Sequence, residues 1–228
     1  MTRRRRLHAL PLVLIFLGLL FAGLYHFLRV RQIVCYDQFG TCAAEISRPL
    51  SRYLGWPLLA ALPTARVTKD LAAFPQIKSV SLYRRLPSVM VVVISLRNPV
   101  GAMGVQVLGA HVAVDQDGVV FALPSQNTLP LLISPVVPGL SSRVSADQLR
   151  ALSDLNLVNT LFDTPISGSL SGSDLTVYAP QGLQIILSVA NTTSNWYTPL
   201  QLLLKRSKIN AKMPHKIDLR FNDAVLTY

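Results

Sequence analysis

Residues Phe74 to Ala102 read F-P-Q-I-K-S-V-S-L-Y-R-R-L-P-S-V-M-V-V-V-I-S-L-R-N-P-V-G-A. Two runs in this stretch, Ile77–Tyr83 and Val89–Leu96, are rich in β-branched residues, and they flank the short connection Arg84–Ser88. β-Branched residues favour strands, and two such runs joined by a short loop that contains proline predict a β-hairpin.

A helix is predicted just before this hairpin. Val67, Leu71 and Phe74 lie three or four residues apart, so they share one face of a helix, and Pro75 stops the pattern. The stretch therefore predicts a helix that leads directly into a strand pair.

Further upstream, Gln32–Tyr36 is predicted as a short strand and residues 42–54 as another helix. Pro49 lies inside that helix, so we expect a kink or a late start. Its predicted buried stripe consists of three residues spaced by four: Ile46, Leu50 and Leu54. Together these elements predict the order strand, helix, helix, strand, strand for residues 29–100.

From Gly101 onward, the sequence changes to short apolar runs separated by turn residues. Val112–Val114 and Val119–Leu123 flank an Asp-Gly turn, which predicts a second hairpin. The later elements are predicted as a helix capped by Ser145, a small-residue loop at 167–173, a hairpin at 175–189, a helix that starts at Thr198-Pro199 and a strand pair that reaches Tyr228. Residues 101–228 are thus predicted to form a mixed α/β domain with an antiparallel sheet.

Residues 7–28 contain no charged side chain, which predicts a transmembrane helix because about 20 apolar residues span a bilayer. Four arginines, Arg3 to Arg6, precede this run, whereas only Arg29 and Arg31 follow it. The positive-inside rule then makes residues 1–6 a cytoplasmic tail and places everything after the helix outside the cytoplasm. A cleaved signal peptide is the alternative, although its apolar region is usually shorter. The sequence therefore predicts a single-pass protein of the cytoplasmic membrane.

Several short motifs follow one another along the chain. They are F-P-x-I from Phe74, L-P-S from Leu86, R-N-P-V from Arg97, V-D-x-x-G-x-x-F from Val114, L-P-x-L from Leu129 and I-D-L-R-F-x-D-x-V from Ile217. In wording and order they resemble the bacterial cell-division family FtsQ/DivIB. Two departures from the motifs of this family indicate a divergent member. Val34-Cys35 stands where the family has a V-x-G turn, and Leu96, not an acidic residue, precedes the arginine of R-N-P-V.

The resemblance implies an α+β fold with a single N-terminal transmembrane helix, a POTRA domain at residues 29–100 and an FtsQ-type β domain at residues 101–228. It implies a non-enzymatic bitopic scaffold of the division complex, located at the division septum, which recruits and regulates septal peptidoglycan synthesis through extracytoplasmic contacts. The partners it implies are FtsB-like and FtsL-like bitopic division proteins, with other division-complex proteins contacting the POTRA domain.

The resemblance also implies a partner-binding site. In the resembling family, the terminal β element offers an open edge to which FtsB adds a strand. The matching residues here are Ala224, Val225, Leu226, Thr227 and Tyr228. The alternative function is a POTRA-bearing secretion or outer-membrane assembly component, for which we expect several POTRA units or repeated strands of roughly ten alternating residues. This sequence contains neither pattern.

The two cysteines, Cys35 and Cys42, are separated by six residues. On the outer side of the membrane a disulfide between them is permitted, and we predict one, although a free buried pair is also compatible with the sequence. Metal binding is disfavoured because no histidine or further cysteine stands close to them in sequence.

No catalytic constellation is predicted. His111 and His215 are isolated among ordinary strand and loop residues, and the sequence lacks H-E-x-x-H, P-loop and nucleophile-elbow motifs. An anchored hydrolase is therefore disfavoured, and no metal or cofactor is predicted. The formal net charge of +11 favours anionic surfaces over nucleic acid, because no zinc-finger spacing or RNA-binding aromatic motif accompanies it.

Overall fold

The chain forms two compact α+β units, Met1–Arg97 and Asn98–Tyr228. A computed structural model describes residues 14–20, 23, 27–57, 62–104, 111–122, 129–190, 195–209, 212–221 and 223–228. Each unit contains a mixed sheet, with both parallel and antiparallel strand pairs. The antiparallel sheet predicted for residues 101–228 is therefore wrong, because three strand pairs of the second unit are parallel.

The predicted transmembrane helix at residues 7–28, and the localisation in the cytoplasmic membrane that followed from it, are wrong on this structure. Residues 1–13, 21–22 and 24–26 lie outside the described residues, so the predicted cytoplasmic tail cannot be placed, while residues 14–20 are helical. Across the ranges that the structure describes, none of the helices combines the length and the apolar character needed to cross a membrane. The prediction rested on the length and the apolar composition of residues 7–28 and on the arginine asymmetry around them.

Beyond the N-terminal helical residues, the first unit contains a four-stranded sheet with three short helical segments. Its elements are β1 (Gln32–Asp37), β2 (Gly40–Thr41), α1 (Ala44–Ser47), a 3₁₀ helix (Arg48–Tyr53), α2 (Thr64–Leu71), β3 (Ile77–Arg85) and β4 (Val89–Leu96). The strand order is β2-β1-β4-β3, in which β1 runs parallel to β4 and the hairpin strands β3 and β4 pair antiparallel. The hairpin predicted from its β-branched runs is therefore confirmed.

The helix predicted for residues 42–54 differs from the observed one. The α-helix ends after one turn, and the chain continues as a 3₁₀ helix with Pro49 in its first turn. Proline lacks an N–H and clashes with the preceding turn, so it ends an α-helix at this position. Ile46 and Leu50 are buried as predicted, but Leu54 is 52% exposed because the 3₁₀ segment turns it away from the core.

The second unit is built on a nine-stranded sheet. Its elements are β5 (Pro99–Gly104), β6 (His111–Asp115), β7 (Val120–Ala122), β8 (Leu131–Ile133), α3 (Ala146–Asn159), β9 (Ser167–Ser171), β10 (Asp174–Tyr178), a 3₁₀ turn (Pro180–Gly182), β11 (Gln184–Ser188), α4 (Tyr197–Ile209), β12 (Lys216–Asp218) and β13 (Val225–Thr227). The strand order is β13-β12-β11-β10-β9-β8-β5-β6-β7. One face of this sheet packs on a core to which both α3 and α4 contribute buried residues.

Helix α3 begins as the sequence predicts. The hydroxyl of Ser145 accepts a hydrogen bond from the amide of Gln148, and the Gln148 side chain accepts one from the Ser145 amide. This reciprocal capping box satisfies two amide groups that would otherwise lack partners. Leu152 and Leu155 follow on the buried face, so the helix is fixed against the sheet.

The small-residue segment predicted as a loop at 167–173 is largely a strand, β9, in the middle of the sheet. Gly168 explains why small residues are needed there. A Cβ atom at Gly168 would lie 3.2 Å from Leu155 Cδ1, from Leu175 Cδ1 and from the main-chain oxygen of Thr176. The small residues of β9 have a low intrinsic preference for strands, but they allow α3 and β10 to pack closely against this strand, and that packing outweighs the low preference.

We predict that Gly168→Ala destabilises the second unit by about 1–3 kcal/mol, because the added methyl group overpacks the core between α3 and β10. Gly139→Ala is the matched control, since a Cβ there has no neighbour within 4 Å. Urea unfolding followed by the fluorescence of Trp196, the indole of the second unit, measures both. Equal unfolding midpoints for the two variants would contradict the packing argument.

Candidate partner-binding edge

Strand β13 lies at one end of the nine-stranded sheet. It pairs antiparallel with β12, with Ile217 opposite Leu226 and Asp218 opposite Val225. Within the described part of the second unit, no strand pairs with the outer side of β13. The five residues that the resemblance pointed to, Ala224 to Tyr228, therefore contain an end strand with one open edge.

The direction of the open hydrogen-bonding groups follows from one contact. The main-chain N–H of His215 donates to the carbonyl oxygen of Thr227 over 2.8 Å, so the main chain of Thr227 faces β12. Along a strand, the N–H and C=O groups of successive residues point to alternate sides. The N–H and C=O groups of Leu226 therefore point to the open edge, where an added strand would meet them.

The side chains of this segment divide between the core and the solvent. Ala224 and Leu226 pack against the core of the second unit, whereas Val225 is 53% exposed and Thr227 is also exposed. Tyr228 shares the alternation of Leu226 but is 56% exposed, and the Lys212 ammonium lies 4.5 Å from the centroid of its ring. The lysine fixes the ring at the rim of the sheet through a cation–π contact.

A groove of about 310 Å³ runs beside this edge, between β13 and helix α4. Its walls are formed by Leu203, Arg206, Ser207, Lys212, Leu226 and Tyr228. Two of these side chains are cationic and none carries a carboxylate. Charge complementarity therefore favours a ligand whose side chains are acidic at this point.

An ion-pair cluster holds the turn that leads into β13. Arg220 donates to Asp218 Oδ2 over 2.7 Å and to Asp174 Oδ2 over 2.7 Å, and its main-chain N–H donates to Asp218 Oδ1 over 3.1 Å. The side-chain hydrogen bond from Arg220 holds the pKa of Asp218 below its usual value. Asp218 is close to Arg220 in sequence, at the end of β12, whereas Asp174 lies at the start of β10 and is brought to Arg220 only in the folded chain.

The two cysteines belong to the first unit. Cys35 on β1 and Cys42 are joined by a disulfide, and the Cys42 amide donates to the Cys35 carbonyl over 3.1 Å. This bond closes the β1–β2 turn against the start of α1. The disulfide therefore lies in the first unit, whereas residues 224–228 lie in the second.

The acidic Asp115–Asp117 segment caps a turn. Asp115 Oδ1 accepts hydrogen bonds from the amides of Asp117 and Val119, at 2.9 and 2.8 Å, as expected of an aspartate that opens an Asp-Gly turn. Within the described ranges, no three His, Cys, Asp or Glu residues lie close enough together to hold a metal ion.

No protein-family model matches the chain, and no curated protein matches it.

We predict that Arg220→Gln lowers the urea midpoint of the second unit at neutral pH, because it removes both ion pairs of the cluster. The Asp218 pKa is lowered in the folded state, so the stabilisation is present above the unfolded pKa of aspartate, about 3.9, and is lost as the pH falls through the folded pKa. The deficit of the variant should therefore shrink as the pH is lowered below about 4.

Lys208→Gln is the control for this titration, because it removes an exposed cation of α4. The comparison requires urea unfolding at neutral pH and at several acidic pH values for both variants. A deficit for Arg220→Gln that stays constant over this range would show that Arg220 acts through packing and not through the two carboxylates.

Proposed function

We propose that the protein is a non-enzymatic scaffold of the bacterial division complex, of the FtsQ/DivIB type, which binds a division protein by strand addition at β13. The observation that carries this proposal is the open edge of β13, with the main-chain groups of Leu226 directed outward. The motif order described for the sequence supports the division assignment. In this proposal the partner is an FtsB-like protein, accompanied by an FtsL-like one.

Strand addition suits this edge for energetic reasons. A partner strand satisfies main-chain groups that otherwise depend on water, and these hydrogen bonds supply affinity with little regard to sequence. Specificity then comes from alternate side chains. On this edge, Val225 and Thr227 offer an exposed face to the incoming strand, and Leu226 stays anchored in the core.

The groove beside α4 adds electrostatic selection to the edge. Arg206 and Lys212 line it together with the exposed ring of Tyr228. Arginine and tyrosine side chains are typical anchors of protein interfaces. We infer that the partner places an acidic side chain in the groove while its backbone pairs with β13. Other division-complex proteins are proposed to contact the first unit.

The scaffold role requires no chemistry of its own. Three carboxylates of the second unit have structural contacts: Asp218 and Asp174 hold Arg220, and Asp115 caps a turn. In our proposal the protein acts on peptidoglycan synthesis only through the proteins that it brings together.

We predict that Leu226→Pro abolishes binding of an FtsB-like partner from the same cell. Proline removes the outward N–H of residue 226, which is the donor that an added strand needs, and its ring obstructs the ladder. Leu226→Ala is the matched control, because it shortens the same side chain but keeps the N–H. Binding is measured by titration calorimetry with the two purified proteins.

Retention of the fold is checked by urea unfolding of both variants before the titration. The Ala variant should bind within severalfold of the parent while the Pro variant shows no measurable binding. If the Pro variant bound as tightly as the parent, the partner would not pair with β13 and the proposed site would be wrong.

A further inference from the structure

A second surface feature lies in the first unit, between the 3₁₀ helix and α2. It is a cleft of about 350 Å³, which we call the cationic cleft, lined by Arg52, Tyr53, Trp56, Arg66, Lys69 and Asp70. Three of these six residues are cations, two are aromatic and one is a carboxylate. The division scaffold proposed above makes no use of this cleft.

The single carboxylate of the cleft is already engaged. Asp70 Oδ2 accepts a hydrogen bond from the Tyr53 hydroxyl over 2.8 Å and forms an ion pair with Arg52 over 3.2 Å. Tyr53 is only 6% exposed, and burial and the hydrogen bond to Asp70 raise the pKa of its hydroxyl, so it remains a neutral donor. The charge of Asp70 is therefore balanced within the wall of the cleft.

The other two cations of the cleft, Arg66 and Lys69, are not paired with a carboxylate in this way. Arg66 and Lys69 are three residues apart on α2, so their side chains leave the helix on the same face. Within the described residues, neither has a carboxylate within ion-pair distance. The cleft thus carries two uncompensated positive charges.

Arg66 is held in place by an aromatic contact. Its guanidinium carbon lies 5.5 Å from the centroid of the Trp56 ring, and Trp56 in turn packs edge-on against Tyr53 at 6.4 Å. Stacking on an indole limits the motion of a guanidinium and leaves the N–H donors at its edge available. Helix α2 is itself anchored by Val67 and Leu71, which are 0% and 1% exposed. Arg66 is therefore a preorganised donor on an anchored helix, with the exposed Lys69 one turn away on the same face.

We propose that the cationic cleft binds a phosphate group. A phosphate carries close to two negative charges at neutral pH, about −1.5 to −2, whereas a carboxylate carries one. Two uncompensated cations match the dianion better, and the fork of Arg66 suits two phosphate oxygens at once. The cleft is larger than a phosphate ion, so a phosphate monoester with a small organic body fits the same chemistry.

The test uses the full chain with Trp196→Phe, which leaves Trp56 as the one indole of the two in the sequence. Inorganic phosphate, phenyl phosphate and acetate are titrated at constant ionic strength while Trp56 fluorescence is recorded. We expect saturable changes with both phosphates and none with acetate. Tighter binding of phenyl phosphate assigns the cleft to esterified phosphate, and tighter binding of the inorganic ion assigns it to free phosphate.

Two double variants test whether the cations of the cleft are responsible for phosphate binding. Arg66→Gln with Lys69→Gln should weaken phosphate binding by about tenfold or more, because two charge-assisted hydrogen bonds are lost. Lys205→Gln with Lys208→Gln removes two exposed cations with the same spacing on α4 and should leave binding unchanged. An absence of saturation with both phosphates, an equal response to acetate, or an equal loss in the two double variants would overturn the proposal.

Discussion

Main-chain hydrogen bonding at the end of an open sheet is the constraint on which this account depends. A sheet of nine strands that does not close has two end strands, and an end strand can leave a row of N–H and C=O groups without a strand partner. Within the described residues, no strand pairs with the outer side of β13. At the β13 end, these groups belong to Leu226, whose side chain is anchored in the core. Strand β13 is thus fixed in position, while its outer main-chain groups stay available to a partner strand.

The neighbouring structure keeps that edge in position. Arg220 joins the end of β12 to β10 through two carboxylates, so the turn into β13 is fixed by charge-assisted hydrogen bonds. Lys212 holds the ring of Tyr228 beside the edge. Lys212 and Arg206, which line the groove, give it a positive potential that favours acidic partners.

Sequence patterns predicted those elements whose cause is local. The hairpin of β3 and β4 follows from its β-branched runs, and α3 follows from the capping box at Ser145. Strand β9 could not be predicted, because its small residues are explained by the approach of α3 and β10 to Gly168, which is a tertiary contact. The transmembrane helix predicted at residues 7–28 was wrong, because none of the helices among the described residues has both the length and the apolar character to cross a membrane.

The candidate partner-binding edge likewise combines features that a local sequence pattern predicts with features that only the folded chain shows. Residues 224–228 were found through their resemblance to a family motif, and alternation along a strand already separates Leu226 from its neighbours. The contact of Arg220 with Asp174 joins residues 46 positions apart, so no local pattern carries it. The cationic cleft likewise depends on the packing of α2 beside the 3₁₀ helix, which brings Arg66 over Trp56.

The most direct test of the central claim is hydrogen exchange at the main-chain amide of Leu226, measured by NMR in the free protein and in complex with the FtsB-like partner. We expect the Leu226 amide to exchange fast in the free protein and to be strongly protected in the complex. The Thr227 amide, which faces β12, should be protected in both states. A Leu226 amide that exchanges equally fast in the free protein and in a saturated complex would contradict strand addition at this edge.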